Sequence, residues 1–294
     1  MRLAVEQLAK SYGAVAAVRG LSFTAEAGRV CGFLGPNGSG KTTTLRCMLG
    51  LVRPDSGHAT FDGRAYGDLR EPMRQVGALL DADAHHPDRS SREHVRVLCD
   101  AAGLPLTRAD EVLRLVELES AADRRAGGYS LGMRQRLHLA AALLGDPAAL
   151  VLDEPANGLD PQGIRWLRDR LRALAAEGRC VLLSSHVLAE VRQTVDDVVV
   201  IAAGRRVAAG TLGDVLAAGG GTLLVRSPEP AALEAVVERL GGTASRRDGT
   251  VEVHGVGAEE LARAAFDARV LLTLLEERAP DLERRYFELT GEQS

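Results

Sequence analysis

The sequence predicts an α/β domain with a central, mostly parallel β-sheet, followed by a small α+β domain. Apolar runs lie within residues 29–35, 148–155 and 179–186, and such continuous runs are typical of strands that are buried on both faces of a parallel sheet. Segments with apolar residues three and four positions apart separate these runs and predict helices. Strands that alternate with helices in this way favour the α/β class.

The first domain is expected to span residues 1–213. Two strand patterns, RLAVEQL and LSFTAEAG, precede the buried strand RVCGFLG, and the helix pattern KTTTLRCMLGLV follows a glycine-rich turn. The turn signal PDSG leads into the short strand HATFDG. Residues from about 83 to 147 have mostly helical spacing, so we expect an inserted helical subdomain there. Strand AALVLDEP, helix PQGIRWLRDRLRALAAEG and strands RCVLLSSH and DDVVVIAAG complete this domain.

The second domain is expected to span residues 214–294. A glycine run at residues 219–221 marks a break between the domains. Strand and helix patterns then alternate, which predicts a small α+β domain without a recognisable chemical motif. The four patterns are TLLVRS, PAALEAVVERLGG, TVEVHGV and AEELARAAFDA.

The composition excludes several classes of protein. Hydrophobic residues make up 46% of the chain, charged residues 26%, and the formal net charge is −4, so we expect neither disorder nor a nucleic-acid partner. The apolar runs are too short to cross a bilayer, and the first residues lack the pattern of a secretory signal, so a cytoplasmic chain is expected. The four cysteines form no CxxC pair, and we expect them to be small core residues.

The strongest chemical motif is GPNGSGKT at residues 35–42. It matches the P-loop pattern, and it lies between a predicted strand and a predicted helix, as a P-loop requires. Its glycines allow successive N–H groups to point at phosphate oxygens, beside the positive end of the helix dipole. Lys41 is expected to reach the β- and γ-phosphates of ATP, and the Thr42 hydroxyl is expected to bind Mg²⁺.

A pair of acids follows the apolar strand AALVL. Asp153 and Glu154 lie at its carboxyl end, where open parallel sheets usually bind ligands. Asp153 is expected to hold Mg²⁺ through water, and Glu154 is expected to polarise the water that attacks the γ-phosphate. An isolated acidic pair would more often be exposed to solvent, but here it follows a P-loop.

Residues 129–161, YSLGMRQRLHLAAALLGDPAALVLDEPANGLDP, resemble the segment from signature helix to D-loop in ATP-binding subunits of ABC transporters. The resemblance covers roughly the first 210 residues. It implies that Ser130 and Gly132 bind the γ-phosphate of ATP held by an opposing copy, so that the active sites are shared in a homodimer. The family's LSGGQ signature is altered here at Tyr129, Leu131 and Met133.

The same resemblance assigns further residues. Tyr12 matches the position on which the family stacks adenine, and His186 matches the switch histidine near the γ-phosphate. Asp81 replaces the family's usual glutamine and is a further candidate magnesium contact. The predicted residues are therefore Glu154 and His186 for catalysis; Tyr12, Gly35, Pro36, Asn37, Gly38, Ser39, Gly40, Lys41, Thr42, Thr43, Ser130 and Gly132 for ATP; Thr42, Asp153 and Asp81 for Mg²⁺; and Gly158, Leu159 and Asp160 for the dimer interface.

The resemblance also implies a partner and a role. The SLGM signature, the DADAHHP loop and the FELTG ending are similar to the drug and antibiotic exporter subgroup. The chain would then power export through a separate membrane permease at the inner face of the cell membrane. Two alternatives stay open: a soluble ABC-type mechanical ATPase without a permease, and an ATP-binding regulatory module without useful turnover. The single nucleotide-binding domain with its short insertion argues against the mechanical ATPase. The presence of Glu154 and His186 argues against the regulatory module.

Overall fold

The computed structural model describes residues 1–80, 86–185, 187–218, 222–247, 249–278 and 282–290. A first compact unit is built from Met1–Leu212 together with Leu289 and Thr290, and a second from Gly213–Glu288. The strands of the first unit are β1 (Leu3–Tyr12), β2 (Val15–Ala25), β3 (Val30–Leu34), β4 (Ser56–Phe61), β5 (Val76–Leu79), β6 (Ala149–Leu152), β7 (Cys180–Ser185), β8 (Asp197–Ala202) and β9 (Arg205–Thr211). The helices that begin within it are α1 (Lys41–Met48), α2 (Pro72–Gln75), α3 (Ser91–Ala101), α4 (Thr107–Leu115), α5 (Leu131–Leu143), α6 (Pro161–Ala176), α7 (Leu188–Thr194) and α8 (Leu212–Ala217).

The main sheet has six strands in the order β5-β6-β7-β3-β8-β9. All neighbouring pairs are parallel except β8 with β9. Every residue of β3, β6 and β7 is buried, which explains their unbroken apolar sequences. Because β6, β7 and β3 are adjacent and parallel, their carboxyl ends meet at one edge of the sheet.

A second sheet of three antiparallel strands, in the order β2-β1-β4, lies over the main sheet and shares a core with it. Phe23 of β2 stacks on Phe33 of β3 with ring centroids 5.0 Å apart. The sequence patterns predict β1, β2 and β4 as strands but do not separate them from the parallel sheet. They also miss β9, whose side chains are mostly exposed.

Between β5 and β6 lie the helices α3, α4 and α5, which pack together. A capping box starts α3: the Glu93 N–H donates to Ser90 Oγ (3.2 Å) and the Ser90 N–H donates to the Glu93 carboxylate (2.8 Å). The buried Tyr129 hydroxyl donates to the Ala121 carbonyl (2.6 Å) and lies 2.8 Å from Ser91 Oγ. These bonds connect the start of α3 to the segment before α5.

The second unit contains β10 (Thr222–Arg226), α9 (Pro230–Arg239), β11 (Thr243–Arg247), β12 (Thr250–His254), α10 (Ala258–Asp267), β13 (Leu274–Arg278) and all but the last two residues of α11 (Leu282–Thr290). Its four strands form an antiparallel sheet in the order β11-β12-β10-β13. Side chains of α9 and α10 share one apolar cluster with one face of that sheet. The sequence patterns predict β10, α9, β12 and α10, but miss β11, β13 and α11.

All four cysteines are buried and free, as the sequence predicts. Burial raises the pKa of Cys180 to about 11, so this thiol stays neutral. No helix in the described part of the chain is long and apolar enough to cross a membrane.

Substitution at Gly77 is expected to destabilise the first unit. A Cβ there would lie 2.0 Å from the Ala142 carbonyl oxygen of α5, so Gly77→Ala should force β5 and α5 apart and lower the free energy of unfolding by about 1–3 kcal/mol. Gly67→Ala is the control, because a Cβ there meets nothing within 4 Å. Urea unfolding of both variants measures the difference, and equal midpoints would contradict the close approach.

Candidate active site

The candidate site lies at the carboxyl ends of three adjacent strands. The P-loop leaves β3, Asp153 and Glu154 follow β6, and Ser184 lies near the end of β7. Ligands of open parallel sheets bind at this edge. The sheet order therefore brings together groups that are about 110 to 150 residues apart in sequence.

The P-loop bends so tightly that glycine is required at two positions. Gly40 has φ +102°, and a Cβ on it would lie 2.3 Å from the Ala17 carbonyl oxygen of β2. A Cβ on Gly35 would lie 2.5 Å from Ser39 Oγ and 2.6 Å from the Ile201 carbonyl oxygen. The loop is thus in close contact with β2 and β8, and these contacts fix the conformation of its backbone.

Lys41 points back across this loop. Its side chain is only 6% exposed, and Nζ donates to the carbonyls of Gly35 (2.6 Å) and Pro36 (3.3 Å). Glu154 Oε1 lies 3.6 Å from the same nitrogen. A buried ammonium with these partners is positioned beside the loop, where it would meet a bound phosphate.

The loop borders a cavity of about 470 Å³ whose groups fit a polyphosphate. Gly40 caps α1 without a side-chain hydrogen bond, so the helix presents its first N–H groups and its positive dipole end to an anion. Ser39 Oγ is buried and has no partner among the described residues, which leaves a donor available. The cavity is lined by Ala17, Pro36, Asn37, Gly38, Gly40, Lys41, Thr42, Thr43, Glu154 and Asn157.

Two oxygen groups beside the loop fit a magnesium ion. Thr42 Oγ1 donates to Asp153 Oδ2 at 2.7 Å, so the hydroxyl of α1 and the carboxylate after β6 already lie together. Hydroxyl and carboxylate oxygens are the ligands that Mg²⁺ prefers, together with phosphate oxygens and water. Asp153 is buried, and its own N–H donates to the Leu79 carbonyl of β5 (2.7 Å).

Glu154 lies next along the chain and lines the cavity. Its backbone has φ +48°, a left-handed conformation that costs energy in any residue except glycine. The Glu154 N–H donates to Ser184 Oγ at 2.8 Å. This turn separates the two acids, so that Asp153 points at Thr42 while Glu154 faces the P-loop cavity.

The signature residues lie outside this cavity. Ser130 caps α5, where its Oγ accepts from the Met133 N–H (3.3 Å), and Ser130 itself is exposed. A Cβ on Gly132 would lie 3.6 Å from Leu159, and one on Gly158 would lie 2.1 Å from Leu131. The signature and residues 158–160 therefore pack against each other in one chain, apart from the P-loop cavity.

The family model described as ABC transporter matches residues 18–157. A relative named Nod factor export ATP-binding protein I, from Burkholderia lata, is 36% identical over 291 residues, which cover 96% of this chain and 94% of the relative. This chain belongs to the ABC transporter ATP-binding family. It is an ATP-binding subunit and an ATPase, and the expected α/β cassette fold is confirmed.

Other comparisons agree with this ABC assignment. The bacitracin transport ATP-binding protein BcrA of Bacillus licheniformis is 39% identical over 201 residues, covering 67% of this chain and 66% of the relative. A solved ATP-binding subunit of an ABC transporter is 30% identical, with a TM-score of 0.66 over 73% of this chain and 92% of that chain. Residues 221–283 match a family that is described only as a domain of unknown function.

Some residues expected in this ABC ATPase are not brought to the cavity. Tyr12 is 51% exposed at the end of β1, with Lys10 Nζ 5.6 Å from its ring centroid, and it does not line the cavity. Asp160 accepts from the Gly163 N–H (2.7 Å) and caps α6, so it has a structural role besides the predicted interface. Asp81 and His186 lie outside the described residues.

Sequence reasoning missed three groups of the site: Ala17, Asn157 and Ser184. Ala17 approaches the loop only because the second sheet folds over it. Ser184 could have been noticed, since two serines end an otherwise apolar strand that is buried on both faces. A hydroxyl in that setting needs a partner, and in the structure it is bonded to both residues of the acidic pair after β6.

Removing the Lys41 ammonium is expected to weaken ATP binding. Lys41→Met keeps the length of the side chain but removes the buried cation, so the dissociation constant for ATP should rise at least about tenfold. Arg2→Met, which removes an exposed cation paired with Glu26, is the matched control and should leave the constant unchanged. Titration calorimetry measures both, and an unchanged constant in Lys41→Met would refute the assignment.

Proposed function

We propose that two copies of this chain bind ATP and Mg²⁺ at shared sites and power export through a separate membrane permease. The observation that carries the proposal is the division of the site within one chain. The P-loop cavity holds the groups for phosphate and metal, whereas Ser130 stands exposed at the start of α5. Each half needs a second copy to complete it.

The residues around the P-loop cavity have separate roles in the proposed hydrolysis of ATP. Lys41 and the first N–H groups of α1 hold the β- and γ-phosphates. Thr42 and Asp153 hold Mg²⁺, which would neutralise charge on these phosphates when bound. Glu154 accepts the proton of the attacking water as general base, because its carboxylate faces the cavity next to Lys41.

The proposed dimer depends on the exposed N-terminus of α5. A helix N-terminus with an exposed hydroxyl is suited to a phosphate, and no such ligand is supplied to Ser130 by its own P-loop cavity. A second copy facing it would supply the γ-phosphate of its own ATP. A structural neighbour described as a dimeric post-hydrolysis cassette with ADP and Pi shares this fold, with a TM-score of 0.63 at 23% identity.

Export is proposed from the relatives. One is named for Nod factor export and another for bacitracin transport. We therefore infer that the substrate is a drug, an antibiotic or another hydrophobic compound. The permease would hold the chain at the cytoplasmic face of the membrane, where ATP is available.

The domain division is part of the same proposal. Residues 1–213 form the nucleotide-binding domain, with the helical subdomain at about 83 to 147 inserted between its strands. Residues 214–294 form the α+β accessory domain. The compact units of the fold support a division after Leu212.

The shared site predicts an ATP-dependent dimer that depends on Ser130. Glu154→Gln should lose hydrolysis and elute as a dimer with ATP, since the site closes but cannot turn over. Adding Ser130→Asp should abolish that dimer: aspartate keeps the α5 cap but places a negative charge against the partner's γ-phosphate. Ser130→Asn, a neutral cap of the same size, is the control and should still dimerise. Size-exclusion chromatography with light scattering distinguishes them, and a dimer in the aspartate variant would count against the shared site.

The export role predicts a phenotype that needs both partners. The chain, co-expressed with a permease from its own genome in a sensitive host, should raise resistance to hydrophobic antibiotics or peptides. Two controls should not raise resistance: the Glu154→Gln variant co-expressed with the same permease, and the permease expressed alone. If the chain hydrolyses ATP but no permease recruits it to membranes, the export proposal fails and the soluble mechanical ATPase becomes the better account.

A further inference from the structure

Ser184 is fully buried near the end of β7, and its hydroxyl touches both acids of the site. Its side chain is 0% exposed. Ser184 Oγ accepts the Glu154 N–H at 2.8 Å and donates to Asp153 Oδ1 at 2.5 Å. One hydroxyl thus joins the proposed magnesium ligand to the proposed general base.

The direction of these bonds is fixed. A carboxylate accepts only, and a backbone N–H donates only, so the single Ser184 proton must point at Asp153. This leaves Oδ2 of Asp153 towards Thr42, at 2.7 Å from its hydroxyl. The carboxylate is therefore held by one oxygen and presents the other on the side where magnesium would bind.

The bond to Glu154 has a second consequence. Glu154 lies beyond the end of β6 with a left-handed backbone, and Ser184 Oγ supplies the acceptor for its N–H. A buried N–H without an acceptor would cost stability. Ser184 therefore supports the turn that directs the Glu154 carboxylate into the cavity and the Asp153 carboxylate towards α1.

We propose that Ser184 is a positioning residue for ATP hydrolysis, which orients Asp153 for Mg²⁺ and Glu154 for water through its one hydroxyl. The inference rests on the proposed magnesium site and general base. Ser184 touches neither nucleotide nor water in this assignment, because it is fully buried and does not line the P-loop cavity. A hydroxyl that only stabilised the end of β7 would leave the metal dependence unchanged, and this separates the two roles.

The test compares Ser184→Ala with Ser184→Thr and Ser91→Ala. Threonine keeps the hydroxyl. Ser91 is the matched control, because it is also 0% exposed and its Oγ contacts the Ala122 carbonyl (3.1 Å) and the Tyr129 hydroxyl (2.8 Å) within the insertion. Both alanine variants lose a buried hydroxyl with two partners, but only Ser184→Ala changes the site.

Two readouts are expected to move together. The kcat of Ser184→Ala should fall about 10- to 100-fold with KM for ATP changed less than about threefold, as for loss of a group that orients metal ligands. Thermal unfolding with a non-hydrolysable ATP analogue gives the readout without turnover. Stabilisation by the analogue in EDTA should equal that of the wild type, while half-maximal stabilisation should need about tenfold more Mg²⁺.

Ser184→Thr should restore kcat and the Mg²⁺ requirement to within about threefold of the wild type, and Ser91→Ala should change neither. Unchanged kcat and Mg²⁺ dependence in Ser184→Ala would overturn the proposal. It is also overturned if kcat falls without a change in Mg²⁺ dependence, or if Ser91→Ala has the same effect. Should Ser184→Ala not fold, Ser184→Cys keeps the volume with a weak donor and should show the same losses.

A wild-type chain that is not stabilised further by Mg²⁺ would instead count against the magnesium site itself. The wild-type titration therefore separates a failure of the proposed function from a failure of the role of Ser184.

Discussion

The rest of the site depends on how the Asp153 carboxylate is held. This buried charge lies at the carboxyl end of β6 and accepts from Thr42 of α1 and from Ser184 of β7. Burying a carboxylate is costly unless hydrogen bonds replace its hydration. The P-loop helix and the neighbouring strand supply those bonds, so the same interactions that make the charge tolerable also bring the phosphate loop and both acids together.

Sequence patterns were sufficient to predict the strands in which every side chain is buried. Strands β3, β6 and β7 are buried on both faces, and their unbroken apolar runs predict them directly. The P-loop was predictable because its glycines are required by local backbone geometry. At Gly40, for example, the Ala17 carbonyl oxygen leaves no room for a Cβ. In contrast, β9 and β11 are mostly exposed, and TASRR in β11 has too few apolar residues to show an alternation. Their strand conformation comes from pairing with β8 and β12.

The role of single side chains was predictable only where a motif fixed their neighbours. The position of Asp153 and Glu154 beside the P-loop was predictable because they follow that motif, but the bond between Ser184 and both acids depends on the strand order β6-β7-β3, which the sequence does not reveal. Tyr129 is a similar case. It departs from the family's signature, and the structure shows a buried hydroxyl bonded to Ala121 and near Ser91, so this position serves the packing of the insertion.

The signature and the turn at Glu154 are also connected by hydrogen bonds and packing within one chain. Gln135 of α5 is buried, and its Nε2 donates to the Pro155 carbonyl, directly after Glu154, at 2.8 Å. Arg136 lies one residue further along α5, with its guanidinium 4.3 Å from the ring centroid of Trp166 on α6. Because α5 begins at the signature, a partner that binds Ser130 in the proposed dimer would contact a helix that is hydrogen-bonded to the turn carrying Glu154, the proposed general base. The groups that we propose bind a partner's nucleotide and the groups that we propose bind the chain's own nucleotide therefore belong to one connected set of contacts.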